Sequence, residues 1–246
     1  MDWAELSWEE IPNVLKAVNG AALLPIGATE QHGPHLACGV DTVVAKTVCD
    51  AVSTHTHVPV LPAMPYGCSL GHSSKWPGTI SLDPVMLIQL VKQIGDWAYK
   101  SGVRRLFLVN GHVTNEAPLR CALEMLRAQY SDLMVNLTCT GKMSPRVDQF
   151  HHADAIDWHA NDAETSLMMA VAPEQIRSHD FTRADDPDRT QDLVFAHPVN
   201  HTSLNGVTGF PSQASLDKGK QGFAWMVEDL TAIVEHGINE CAPLTS

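Results

Sequence analysis

The chain has 246 residues, 44% hydrophobic and 18% charged, a globular composition long enough for a sizeable core and unlike that of a disordered or fibrous chain. Its 28 acidic against 16 basic residues leave a net charge of −12, without the basic footprint that nucleic acid or an anionic membrane surface requires. No apolar run nears the roughly 20 residues of a bilayer span, the acidic start Met1-Asp2-Trp3-Ala4-Glu5 lacks a signal-peptide pattern, and six scattered cysteines without C-x-x-C predict reduced thiols in a cytoplasmic protein.

In chain order, Ser7-Trp8-Glu9-Glu10 carries a capping-box pattern that predicts a helix running to Ala17. Residues 21–26 (AALLPI) predict a buried strand ended by Gly27, residues 41–52 a helix, and residues 58–61 a second strand with Pro59 inside it. Residues 84–100 predict a helix with proline at its start, its Trp97 packed inward. Residues 105–109 (RLFLV) form the clearest buried strand, closed by Asn110-Gly111. A helix over 116–130, a strand over 133–137, a short helix over 164–171 and a long helix over 214–240, with Trp225 at the core or a subunit interface, complete the pattern. Strands alternating with helices predict βαβ units and a mostly parallel sheet covered on both faces. No linker or repeat divides residues 1–246, so one domain is expected. Two stretches, 138–162 and 172–213, read as long irregular loops, which in compact domains are usually functional or interfacial.

Ligands of open α/β sheets gather at the carboxyl ends of strands. After the first strand comes Thr29-Glu30-Gln31-His32-Gly33-Pro34-His35, then Asp41 at a helix head. After residues 105–109 comes Asn110-Gly111-His112, and into the short helix runs His159 to Glu164. Glu30 and His32, two apart, project to one side of an extended segment. Two divalent cations would be nearly neutralised by Glu30, Asp41, Glu164 and a hydroxide. Oxygen and imidazole ligands without thiolate suit zinc, manganese or iron(II), and 13 histidines in the chain agree with metal chemistry. Each residue alone also fits a plainer role: Glu30 a solvated carboxylate, His32 and His35 loop residues, Asp41 a helix cap, His112 a carbonyl's partner, Glu164 a first-turn charge.

The segment Leu24-Pro25-Ile26-Gly27-Ala28-Thr29-Glu30-Gln31-His32-Gly33-Pro34-His35-Leu36, followed by Asp41, resembles the opening motif of the creatininase (creatinine amidohydrolase) family. Further stretches follow in the family's order: Trp76-Pro77-Gly78-Thr79-Ile80-Ser81-Leu82, Asn110-Gly111-His112, residues 159–166, Gly206-Val207-Thr208-Gly209 with Ala214, and Lys218-Gly219. The resemblance implies a metal-dependent amidohydrolase with a three-layer α/β/α sandwich, usually a homohexamer, holding two divalent ions, zinc or manganese with iron(II) also compatible. It implies Glu30, Asp41 and His112 on one ion and His32, Asp41 and Glu164 on the other, Asp41 bridging, with His159 as the catalytic histidine. Ser69 and His72, in Tyr66-Gly67-Cys68-Ser69-Leu70-Gly71-His72, together with Val113 and Trp158, fit substrate contacts, and Trp76 sits in a motif loop. Two positions depart from the creatinine-hydrolysing pattern. Thr114 stands where those members carry Glu, and Ala155 where they carry the tryptophan that packs on creatinine; both point away from creatinine itself.

The expected reaction is hydrolysis of a C–N amide bond in a small molecule (a cyclic amide, a formamide or a peptide-like amide). A metal-activated bridging hydroxide attacks, and His159 protonates the departing nitrogen. A peptide-trimming or deformylating relative, whose wider pocket would be shaped by residues 181–198, is one alternative. Others are a metal-dependent isomerase or lyase on a similar scaffold and an assembly protein stapled by metal.

Overall fold

Three parallel strands, β1 (Ala21–Ile26), β2 (Arg105–Asn110) and β3 (Met134–Cys139), form a sheet in that order. The computed structural model describes residues 1–177 and 181–241. Helices α1 (Ile11–Ala17), α2 (Val40–Thr56), α3 (Pro84–Lys100), α4 (Glu116–Gln129), α5 (Pro145–His151), α6 (Asp162–Val171), α7 (Val199–Thr202) and α8 (Leu216–Asn239) surround it. Register runs from Ala21 opposite Arg105 to Ile26 opposite Asn110, and from Arg105 opposite Met134 to Asn110 opposite Cys139.

Alternate side chains leave a strand on opposite faces, and the core divides accordingly. Leu23, Phe107 and Val109 pack against α2, α6 and α8 on one face. Leu24, Ile26, Leu106 and Leu108 pack against α3 and α4 on the other. The result is the three-layer α/β/α sandwich with a parallel sheet that the strand–helix alternation predicts. All six residues of β1 are buried, so its sequence reads as a continuous apolar run, as parallel strands covered on both sides do. β3 is half-exposed, and no strand lies beyond it among the described residues.

Several elements differ from expectation. The strand expected at 58–61 shrinks to a bridge in which Val60 pairs with Leu23 and, on its far side, with Asp2. Pro59 and Pro62 remove the donors a longer ladder needs. The stretch 138–162 contains α5, which Ser144 caps by accepting from Val147 N and Pro145 opens. Residues 172–213 hold only short turns and α7, and residues 178–180 within them lie outside the described set. At the start of the chain, Ser7 N and Oγ both donate to Glu10 Oε2 at 2.7 Å, yet the α-helix begins only at Ile11. Trp97 does not pack inward: it is 66% exposed, with Lys100 Nζ 4.2 Å from its ring centre. Trp225 is half-buried against the core of the α2–α8 layer. No helix among the described residues is long and apolar enough to cross a membrane.

Two glycines let the site assemble. A Cβ on Gly27, just past β1, would lie 2.4 Å from the backbone of Thr42, and one on Gly111, just past β2, 2.3 Å from Asp41 O. Both strand ends therefore press directly on the first turn of α2, and only glycine permits so close an approach.

Candidate metal centre

The loop leaving β1 carries Glu30 and His32, the first turn of α2 carries Asp41, the turn after β2 carries His112, and the first turn of α6 carries Glu164. All five side chains are buried. Asp41 Oδ1 stands 3.4 Å from His32 Nε2, and its Oδ2 stands 3.5 Å from His112 Nδ1. His32 Nε2 is also 3.6 Å from Glu164 Oε1, and His112 Nε2 is 3.3 Å from Glu30 Oε2. One aspartate thus spans two carboxylate–imidazole pairs.

Local structure fixes each ligand. Asn110 clasps the backbone of His112: its Oδ1 accepts from His112 N at 3.1 Å and its Nδ2 donates to His112 O at 2.7 Å. Asn115 Nδ2 ties that clasp to Gly27 O at 3.0 Å, joining the ends of β1 and β2. Asn161 caps α6 by accepting from Glu164 N. Ala160 sits in the left-handed region at φ 51°, and its N–H donates to Glu164 Oε2 at 2.6 Å. A non-glycine residue there costs about 1–2 kcal/mol, and the turn it makes separates His159 from α6.

The polar bookkeeping does not close without a cation. Glu30 Oε1 and Oε2, His32 Nε2 and Asp41 Oδ2 are buried with no hydrogen-bond partner. His32 Nδ1 donates to Glu30 O at 3.1 Å, so in the neutral ring the Nε2 lone pair faces the carboxylates of Asp41 and Glu164. Buried lone pairs aimed at one another repel; a proton or a metal ion between them removes the conflict. Burial opposes charge on His32, yet Asp41 and Glu164 outweigh it and raise its pKa well above the usual imidazole value. Burial also works against Glu164, but the nearby His32 charge holds it at about 2. Glu30 is pushed up to about 7, chiefly by burial and against the pull of His112. Oxygen and imidazole donors buried in this way fit divalent metals.

Side chains whose donor atoms lie within 4.8 Å of one another fall into three groups: Glu30 with His32 and Asp41; His32 with His159 and Glu164; Glu30 with His72 and His159. His112 is in none of them, because it meets Glu30 and Asp41 through different ring nitrogens. Its Nε2 also lies 3.0 Å from Cys68 O and 2.5 Å from Thr114 Oγ1, which makes Nδ1 its free nitrogen. His159, beside His32 with ring centres 4.5 Å apart, donates from Nε2 to Gln31 O at 2.8 Å and turns Nδ1 toward Glu30 Oε1, 3.6 Å away. Burial and the charge on His32 lower its pKa to about 3, so it rests neutral.

A cleft of about 320 Å³ opens above the cluster, and His72, Val113, Thr114, Trp158 and His159 line it. Ser69 is not on that wall. It is fully buried behind the cluster, with Oγ 3.3 Å from His112 Nε2. Trp76 also lies off the cleft, under Lys75. Ala196, His197 and Pro198, from the stretch 181–198, close one side. A larger groove of about 460 Å³ runs between β3 and α8, at the other end of the sheet, and holds no such cluster. The braces Asn115 and Ala160 were not legible in the sequence, although Asn115 stands only three residues beyond His112.

Residues 4–234 match the creatininase family, described as creatinine amidohydrolase. A mycofactocin precursor peptide peptidase of Mycobacterium tuberculosis is 32% identical over 229 residues, covering 87% of this chain and 84% of its own length. A creatinine amidohydrolase of Pseudomonas putida is 30% identical over 234 residues, covering 88% and 89%. Among solved structures, a mutant creatininase of Zn–Zn type aligns with TM-score 0.83 at 27% identity, covering 97% of this chain and 98% of its own. A structure titled creatininase Mn aligns with TM-score 0.82 at 26% identity over the same shares. A match over nearly the whole chain, together with a carboxylate–imidazole cluster at the strand ends, makes this protein an amidohydrolase of the creatininase family.

Proposed function

We propose that the protein hydrolyses a C–N amide bond other than that of creatinine, using two divalent cations. Glu30, Asp41 and His112 would hold one and His32, Asp41 and Glu164 the other, with zinc or manganese as the fitting metals. The observation that carries this reading is the set of orphaned buried atoms on Glu30, His32 and Asp41. Bound there, two such cations lower the pKa of a water toward neutrality and polarise an amide carbonyl. His159 keeps Nδ1 unprotonated beside Glu30 Oε1, in position to take a proton there and pass it to the leaving nitrogen. His72, Val113 and Trp158 shape the cleft around the acyl and amine portions.

The substrate reading rests on side-chain size. Ala155 is small and 8% exposed, so it offers no aromatic face to creatinine. The segment that closes one side of the cleft at Ala196 is preceded in the chain by exposed Leu193, Val194 and Phe195, apolar surface that favours a substrate longer than a small ring. The peptidase relative acts, by its name, on a precursor peptide, and a peptide-like amide is accordingly the first substrate class to test. Six free cysteines support a cytoplasmic location. Exposed Met86, Leu90 and Trp97 on α3 support an oligomer, and the family resemblance favours a hexamer.

The test is metal analysis of the purified protein alongside a panel of formamides, lactams, short peptides and creatinine, read by product mass. A ring-opened product heavier by one water, or two fragments whose masses sum to substrate plus one water, supports hydrolysis. An isomeric product, or none after loading with zinc or manganese, overturns it.

A further inference from the structure

Gln31, between two expected metal ligands, has a buried side chain that the function above does not use. Its amide orientation is set from both ends: Oε1 accepts from Gly33 N at 2.9 Å, and Nε2 donates to Gly206 O at 3.1 Å. The second Nε2 hydrogen has two imidazole nitrogens in reach, His72 Nδ1 and His159 Nε2, each at 3.2 Å. His159 Nε2 cannot accept, because it already donates to Gln31 O at 2.8 Å. The hydrogen therefore goes to His72 Nδ1.

A neutral imidazole has one donor and one acceptor nitrogen. Accepting at Nδ1 forces the His72 proton onto Nε2, which stands 3.9 Å from Glu30 Oε2 in the cleft wall. Burial disfavours the doubly protonated ring and lowers the His72 pKa. One residue thus gives two adjacent histidines, ring centres 4.3 Å apart, opposite duties. Through its backbone carbonyl it leaves His159 an open Nδ1; through its side-chain amide it makes His72 a fixed N–H donor.

We propose that Gln31 is a positioning residue that locks His72 as the Nε2–H tautomer, turning it into a neutral hydrogen-bond donor for the substrate's carbonyl or developing oxyanion. The lock assigns a purpose to the Gly206-Val207-Thr208-Gly209 motif. A Cβ on Gly206, at φ +90°, would fall 1.9 Å from Gln31 Oε1, so only glycine lets the amide seat. Thr208 then pairs with His159 in both directions, N to O at 2.8 Å and O from N at 3.1 Å. Motif and glutamine together set both rings. An Nε2–H donor aimed where negative charge develops is worth having only if its tautomer cannot exchange.

The role assigned to His72 rests on the amidohydrolase reading; the tautomer itself does not, and it is read without substrate. Protein labelled with ¹⁵N-histidine and loaded with zinc is examined by long-range ¹H–¹⁵N correlation, His72 being assigned through the His72→Asn variant. The wild type is expected to show His72 protonated at Nε2 and bare at Nδ1. In Gln31→Leu the lock is gone and His72 divides between tautomers. In the near-isosteric Gln31→Glu, a carboxylate at the same place accepts instead and His72 reverses to Nδ1–H. His159 keeps its Nε2 proton in both variants, because the backbone carbonyl remains. Gly206→Ala shifts His72 in the same sense as Gln31→Leu. If His72 holds the wild-type pattern in Gln31→Glu, or carries zinc on Nε2 in the wild type, the proposal is overturned. Failure to hydrolyse any amide would sink the functional reading and leave this one standing.

Discussion

His32 Nε2 and Asp41 Oδ1, both buried, face each other across 3.4 Å, and the other oxygen of Asp41 has no hydrogen-bond partner. That aspartate oxygen turns to His112 instead, 3.5 Å away. If Asp41 serves both cations, Asp41→Ala loses both together rather than one. Elemental analysis of protein purified in the presence of zinc should fall from two ions per chain to well under one; near-normal content would remove Asp41 from the bridging role.

Metal uptake should depend steeply on pH, with a sign fixed by the protons that a cation would displace. Burial pushes Glu30 up to about 7, and Asp41 with Glu164 raises His32 despite its burial. At pH 6 Glu30 carries a proton that a cation must displace, and at pH 8 it is already ionised; the raised His32 pKa adds a displaced proton wherever that ring is still charged. Zinc affinity is therefore expected to fall as pH falls, by about tenfold per unit for each displaced proton. Calorimetry in buffers of different ionisation enthalpy should count about one proton more released at pH 6 than at pH 8, the one that Glu30 holds. A count that does not change with pH contradicts the assignment.

His159→Ala should keep the metal and lose turnover. General acid–base groups typically contribute about 10²–10⁴-fold, and a loss in kcat of that size is expected on the best amide of the panel. Because His159 also stands in a donor group with His32 and Glu164, the metal content of the variant decides its role: an ion lost with the side chain makes it a ligand.

Gly111→Ala tests how the site is carried by the fold. The added methyl meets Asp41 O, which is backbone and cannot swing away. Overpacking of this kind costs about 1–3 kcal/mol, so the denaturation midpoint should drop and zinc affinity with it. Unchanged stability would mean that α2 does not seat as tightly as described.

β1 and β2 were legible because each carries an unbroken apolar run, the signature of strands buried on both faces, while half-exposed β3 showed through a shorter run that Asn136 interrupts. α3 was legible to the residue, since Asp83 caps it and Pro84 opens it. α5 escaped, although Ser144-Pro145 is a helix-start signal of the same kind, because seven mostly polar residues show no periodicity. Trp97 misled through its type: aromatic residues usually go inward, and here an amphipathic helix puts one on its outer face. At the site, the ligand residues were visible as clusters following strands. What stayed hidden depends on hydrogen bonds between distant segments: Ser69 behind His112, and Gln31 reaching Gly206 across 175 positions.

The carriers of the centre (the loop after β1, the head of α2, the turn after β2 and the head of α6) span positions 30 to 164 and meet only when the sandwich has closed. No fragment that lacks one of these segments can assemble the donor set, and an intermediate lacking α6 would miss Glu164. An ion bound here would therefore act as a receipt for complete folding, stabilising the finished molecule and none of its precursors. Starving the protein of metal should accordingly show first as a shorter lifetime of the folded chain against proteases, before any question of substrate arises.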